Sequence, residues 1–287
     1  MTAGAAGGRG FRLILHPRME GRLDMAIDEA LAEAVGSGAS VPVARLYGFS
    51  PPTLSLGRFQ KFKSSARMEK LEADGITLVR RPTGGHAVLH DDELTYSVVL
   101  PKENGSGAQP PGGGDPGSGG QPLTVRAIGA RKREVYEFIA RTLLAGLAEL
   151  GLKGTVNSAR TGDLHNPDCF SSAGEYEITA GGRKLIGSAQ MTTRTAILQH
   201  GSIPLSNPGQ RVMRYLRLDQ PVEATEPTCL NEQAGRTLAF EEVRDAFCRA
   251  FIRELGARLS ELTPAERKAA ERIRADKYAS DAWNLKL

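Results

Sequence analysis

The stretch "YEITAGGRKLIGSAQ" (residues 176–190) is followed after four residues by "TAILQHGSIPL" (195–205). Paired glycines at 181 and 182 supply the positive φ that a two-residue β-hairpin turn needs, so the chain reverses here with Lys184 facing Thr179. The second run adds a third strand. A sheet of this kind has an apolar face to bury, and the rest of the chain must supply helices to cover it.

Those helices are legible as apolar stripes. "RLDMAIDEALAEAV" sets Leu23, Ile27, Ala30, Leu31 and Ala34 on one face, and "RKREVYEFIARTLLAGLAELGL" aligns Val135, Phe138, Ile139, Leu143, Leu147 and Leu150. Near the end "FEEVRDAFCRAFIRELGARL" is amphipathic. In "TPAERKAAERIRADKY", Thr263 is the expected N-cap, with Pro264 at the first helical position and Glu266 completing a capping box. Further strands are predicted at "FRLILH", "VARLYGF", "TLSLGRF", "ITLVRRP" and "LTYSVVLP", with a short charged helix around "SARMEKLEADG". The first third is therefore mixed α/β, helices close the chain, and no repeat of 20–50 residues is present.

Residues 103–122, "ENGSGAQPPGGGDPGSGGQP", cannot bury enough apolar surface to offset the entropy of ordering. They read as a flexible loop within one domain, since apolar periodicity resumes soon after them. Residues 1–10 lack an apolar signal core and read as a frayed tail, and no run approaches the roughly 18 apolar residues of a membrane span. With 37 basic and 33 acidic residues the net charge is only +4, and no basic-aromatic interleaving marks a nucleic-acid partner. The three cysteines, Cys169, Cys229 and Cys248, form neither a disulfide framework nor a zinc pattern, which fits reduced thiols in a cytoplasm.

Two stretches carry chemistry. In "RRPTGGHAVLHDDELTYSVVL", Arg80 and Arg81 offer forked donors, and Gly84-Gly85 admits close backbone approach to a phosphate or acyl carbonyl. A solvated arginine pair before a turn explains the same residues, and neither a Walker loop nor G-x-G-x-x-G is present. His90 is a candidate site residue, and His86 a weaker one. In "NPDCFSSAGEYEITAGGRKLIGSAQ", Cys169 precedes the hairpin and Lys184 follows its turn. A neighbouring ammonium lowers a thiol pKa and enriches the thiolate, but spacing alone favours an inert cysteine. Cys248, beside Phe247 and Phe251, and Cys229, in a turn after Pro227, read as structural.

The segments "MAIDEAL", "LYGFSPPTLSLGRFQ", "RRPTGGHAVLHDDELTYSVV", "CFSSAGEYEITAGGRKLIGSAQ", "ILQHGSIPL" and "DKYASDAWN" occur in the order expected of the biotinyl/lipoyl protein ligase and transferase superfamily. The resemblance spans residues 11–287 apart from the glycine-rich insert. Within it the chain looks most like the octanoyltransferases built on a lipoate-ligase-like scaffold, which carry a cysteine ahead of the G-R-K strand that ATP-dependent lipoate ligases generally lack. The resemblance implies an α/β (α+β) fold, a mixed, largely antiparallel sheet flanked by helices. It implies a catalytic domain over 11–258 and a helical extension over 259–287.

By the same resemblance Cys169 is the acyl-thioester nucleophile and Lys184 the residue that lowers its pKa or orients the acyl carbonyl. Arg80, Thr83, Gly84, Gly85 and His90 fall where the family lines its acyl pocket, with Gly187, Ser188 and Ala189 on the opposing strand. The implied reaction moves octanoate from octanoyl-acyl carrier protein to a lysine of an apo lipoyl domain or of glycine-cleavage protein H, with no cofactor, ATP or metal, and with no nucleic-acid or membrane partner. Three other readings stand beside it: an ATP-dependent lipoate ligase, an amidotransferase between lipoyl domains, and a non-enzymatic acyl-carrier-binding protein.

Overall fold

The computed structural model describes residues 10–62, 66–102, 132–157, 177–207, 209–217 and 227–286. Cys169, the insert 103–122 and the tail before residue 10 lie outside the described residues.

The described strands form two sheets. The larger has eight strands in the order β11-β1-β2-β6-β10-β9-β8-β7. They are β1 (Arg12–Met19), β2 (Val43–Phe49), β6 (Glu93–Pro101), β7 (Thr155–Val156), β8 (Ile178–Ala180), β9 (Arg183–Thr192), β10 (Ala196–Pro204) and β11 (Arg258–Ser260). Within this sheet only the pairings of β1 with β2 and β11 are parallel; its others are antiparallel. The second sheet, order β4-β3-β5, comprises β3 (Thr53–Leu56), β4 (Thr77–Arg80) and β5 (Val88–His90). The hairpin turns at Gly181 and Gly182, both at positive φ, and Lys184 pairs with Thr179 as its spacing predicts.

Period-2 alternation sends successive residues of the large sheet to opposite faces, and each face has its own core. Leu46 and Val98 point to the layer of α3 (Lys132–Glu149) and α5 (Phe240–Leu255), where Ile139, Leu143, Phe247 and Phe251 are buried. Their neighbours Tyr47 and Val99 point to the layer of α1 (Gly21–Gly36) and α6 (Pro264–Ile273). Each such fully buried Leu or Phe contributes roughly 1.5–3 kcal/mol of transfer free energy. The small sheet has a separate core with α2 (Met68–Ala73), built on Leu54, Leu56, Leu71 and Tyr215.

The inner face of α1 differs from the apolar stripe in the sequence. Leu23 and Ala34 are half-buried, whereas Asp24 and Asp28 are fully buried beside Ile27 and Leu31. The predicted capping box forms, with the Glu266 N–H donating to Thr263 Oγ1 at 3.2 Å and the Thr263 N–H to Glu266 Oε2 at 2.7 Å. Arg12 of β1 also donates to both Glu266 oxygens and so ties α6 to the sheet. Cys229, at the N-cap of α4 (Leu230–Ala234), and Cys248 of α5 are buried, and burial pushes both thiols up. Among the described residues no helix is long and apolar enough to cross a membrane.

Candidate active site

An open cleft, whose empty space including its solvent-filled mouth is about 420 Å³, lies between the two sheets. Gly187, Ser188 and Ala189 of β9 and His200, Gly201 and Ser202 of β10 form one wall, and Ser55, Val88 and His90 of the small sheet form another. Met25, Tyr47 and Phe49 add apolar surface, and Arg81 and Thr95 complete the lining. The β9–β10 register sets Gly201 against Ser188 and His200 against Ala189. A Cβ on Gly201 would stand 2.3 Å from the Gly187 carbonyl oxygen and 2.6 Å from the Tyr96 ring, so strands this close demand glycine. Nearby, the Tyr96 hydroxyl and Ser188 Oγ are 2.7 Å apart, and burial pushes the Tyr96 phenol up to about 12.

Each cavity histidine is held at both ring nitrogens. His200 Nδ1 lies 3.2 Å from Asp28 Oδ2 and its Nε2 2.7 Å from Thr83 Oγ1. Burial lowers the pKa of His200, against the opposing pull of Asp28. Asp28 also accepts from Arg45, Tyr47 and Ser97. Burial would raise its pKa, but the hydrogen bond from His200 and the Arg45 charge hold it below the ordinary carboxylate value. Arg45 is shared with Asp24, whose carboxyl burial pushes up to about 7 despite that partner. His90 has Nε2 2.8 Å from Ser55 Oγ and Nδ1 2.7 Å from Glu93 Oε1, and it stacks on Phe49 at 4.2 Å. Such fully partnered rings are fixed in orientation, which suits a wall that shapes a ligand.

The two adjacent arginines part company because consecutive residues leave a strand on opposite sides. Arg81 lines the cavity and donates to the carbonyls of Gly84 and His86 and to Ser55. Arg80 is absent from the cavity wall. Its buried guanidinium donates to the backbone carbonyls of Gly57, Gln60, Trp283 and Lys286 at 2.6–3.0 Å. Thr83 reaches the site through His200, while Gly84 and Gly85 form the turn that Arg81 grips. Gly85 has φ +91°, and its carbonyl sits where a Cβ on Gly57 would be, 1.8 Å away, so both positions require glycine.

Of the residues singled out in the sequence, His90, Gly187, Ser188 and Ala189 are thus brought together on the cavity wall. Lys184, four per cent exposed, lies farther along β9, with Nζ 2.7 Å from Glu177 Oε1. Its charge reaches the glycine turn: burial lowers the pKa of His86, and the Arg81 and Lys184 charges lower it further. Arg81 was read only as one of a donor pair, and His200, Asp28 and Glu93 were not singled out. Asp24 and Asp28 did leave a signal, being four apart on an otherwise apolar helix face, where a buried acid demands a partner.

Comparison with known proteins bears on what this cavity belongs to. Residues 20–110 and 120–252 match the lipoyl protein ligase A/B catalytic domain. The chain belongs to that family. It is 37% identical to octanoyltransferase LipM of Symbiobacterium thermophilum, covering 96% of this chain and 98% of that one. It is likewise 37% identical to octanoyltransferase LipM of Exiguobacterium sibiricum, covering 97% and 99%. A solved lipoate-protein ligase A bound with ATP superposes with a TM-score of 0.74 at 23% identity, covering 96% of this chain and 98% of that one. A bi-partite lipoate protein ligase from Thermoplasma acidophilum gives 0.72 at 19%, covering 97% of each chain. At these identities the structural likeness is one of fold, and it places the mixed sheet and flanking helices in the lipoate ligase architecture.

Proposed function

We infer that the chain is an octanoyltransferase of lipoate biosynthesis. The observation that carries this is its near-full-length identity to octanoyltransferases, joined to a cavity whose apolar residues, Met25, Tyr47, Phe49 and Val88, suit a fatty chain. The finer reading is a two-step transfer. The Cys169 thiolate attacks the thioester carbonyl of octanoyl-acyl carrier protein; a new C–S bond forms as the old one breaks, and the carrier thiol leaves. The neutral ε-amine of an acceptor lysine, on an apo lipoyl domain or glycine-cleavage protein H, then attacks the octanoyl-cysteine. An amide forms, the amine gives up a proton, and Cys169 is released.

The thioester supplies the driving force, so this scheme consumes no ATP and uses no metal or other cofactor. Lys184 stabilises the thiolate or orients the acyl carbonyl. The walls of β9 and β10, with His90, shape the acyl pocket, and Thr83, Gly84 and Gly85 support it through His200 and Arg81. Arg80 enters only as the clamp on Gly57 and Gln60. Three cysteines without a pairing pattern support a cytoplasmic setting.

Intact-mass analysis after treatment with octanoyl-acyl carrier protein is expected to show one hydroxylamine-labile octanoyl group, absent in Cys169→Ala. Adding an apo-acceptor without ATP should pass the group on. Modification only with ATP and free octanoate would instead make the chain a ligase, and a Cys169→Ala protein that turns over normally would refute the thioester.

A further inference from the structure

Phe59 is 82% exposed, the most exposed large hydrophobic side chain among the described residues. The loop that carries it is held with unusual firmness. Arg80 donates to the carbonyls of Gly57 at 2.9 Å and Gln60 at 2.6 Å. The Gly57 N–H donates to Gln60 Oε1 at 2.9 Å, and the Gln60 N–H to the Gly57 carbonyl at 3.0 Å. The Arg58 N–H donates to the Thr83 carbonyl at 2.8 Å. A buried guanidinium therefore holds, from below, a turn whose apex presents a phenyl ring to solvent. Such an aromatic costs little entropy on binding, because its backbone is already ordered.

The ring's position relates it to the site. A Cβ on Gly84 would lie 3.9 Å from Phe59 Cδ2, so the ring lies next to the glycine turn whose carbonyl Arg81, a cavity residue, grips. Arg58, with its guanidinium 5.7 Å from the Phe59 ring centroid, and Lys61 are exposed beside it. An aromatic anchor rimmed by cations matches an acidic protein face with an apolar dimple.

We propose that Phe59, flanked by Arg58 and Lys61, is the docking anchor for the acidic surface beside the acceptor lysine. The inference rests on the octanoyl-transfer reading. Reach decides between the two protein partners of that reaction. An acyl carrier presents its thioester on a long pantetheine arm and need not touch the cavity rim, whereas a lysine amine sits on a four-carbon stem, so its protein must approach closely. An aromatic on a firmly held loop, next to the Gly84 turn that the cavity-lining Arg81 grips, belongs to the partner that comes close.

The test is calorimetric titration of the full chain with apo glycine-cleavage protein H, alongside steady-state transfer to it. Phe59→Ala should weaken binding about ten- to thirty-fold without lowering the melting temperature, and Phe59→Trp should restore most of it. Arg58→Glu should weaken binding and flatten its salt dependence. Equal affinity in wild type and Phe59→Ala would overturn the proposal, and so would an equal loss of octanoyl-acyl carrier protein binding, which assigns Phe59 to the donor. Titration requires no chemistry. A wild type that binds the acceptor through Phe59 yet transfers nothing would refute octanoyl transfer alone, whereas a Phe59→Ala enzyme with wild-type kcat/KM for the acceptor would refute the docking anchor alone.

Discussion

The Lys184 ammonium is 2.7 Å from Glu177, with both side chains buried, and that pairing changes what a nearby thiolate would feel. A lone ammonium lowers a thiol pKa by one to two units; one already matched with a carboxylate presents a smaller net field. In the proposed mechanism, Lys184→Ala removes the cation and keeps the Glu177 carboxylate that was paired with it. The Cys169 pKa should then rise by about one unit or more, while Glu177→Gln should lower it. The pH midpoint of Cys169 alkylation by iodoacetamide measures both changes. An unchanged midpoint in Lys184→Ala, with turnover lost, would assign Lys184 to orienting the acyl carbonyl. Part of this was legible, because the Gly181-Gly182 turn fixes Lys184 opposite Thr179. Glu177 was not, since a bulge intervenes between the Ile178 and Thr179 pairings and sequence does not announce it. His200 was missed for a related reason: a lone histidine in a strand shows no partner until the fold brings Asp28 to it from 172 residues away.

At the scale of elements, the site depends on how closely β9, β10 and β6 approach one another at Gly201. An added methyl there would press on the Gly187 carbonyl and on the ring of Tyr96, which is fully buried and cannot swing aside. Gly201→Ala should therefore destabilise the fold by about 1–3 kcal/mol, lowering Tm by roughly 2–4 °C for each kcal/mol. Thermal unfolding followed by circular dichroism checks this, and a Tm within a degree of wild type would show that the strands part at little cost. Elements of this kind were well marked in the sequence, because periodicity and glycine turns are local signals. "TLSLGRF" shows the limit: it reads as a strand through to Phe59, but the strand stops at Leu56, where the apolar alternation also ends and Gly57 starts the turn that Arg80 holds. The division into two sheets was equally hidden, since strand partners are chosen by contacts distant in sequence.

For the whole molecule, the last residues decide how firmly the small sheet sits on the large one. In sequence, 259–287 reads as a helical extension, yet Asn284 Oδ1 accepts from the Arg80 N–H across 204 residues, and Trp283 Nε1 donates to the Arg80 carbonyl. The same guanidinium binds carbonyls of Trp283 and Lys286 with one set of donors and those of Gly57 and Gln60 with another. The C-terminal segment, β4 and the Phe59 loop thus share one buried cation. Ending the chain after Ser280 would strip Arg80 of its partners at 283–286 and leave donors of a buried charge unsatisfied, at a cost of about 1–3 kcal/mol for each such group. Because the small sheet has its own core, that cost should appear as local opening before global unfolding. Hydrogen exchange should accelerate in residues 53–62 and 77–86, while the central strands β6 and β10 keep their protection. Transfer to the acceptor should fall together with the order of the Phe59 loop. If exchange in 53–62 stayed at the wild-type rate after truncation, the C-terminal segment would be an appendage, and Arg80 would hold the loop through Gly57 and Gln60 alone.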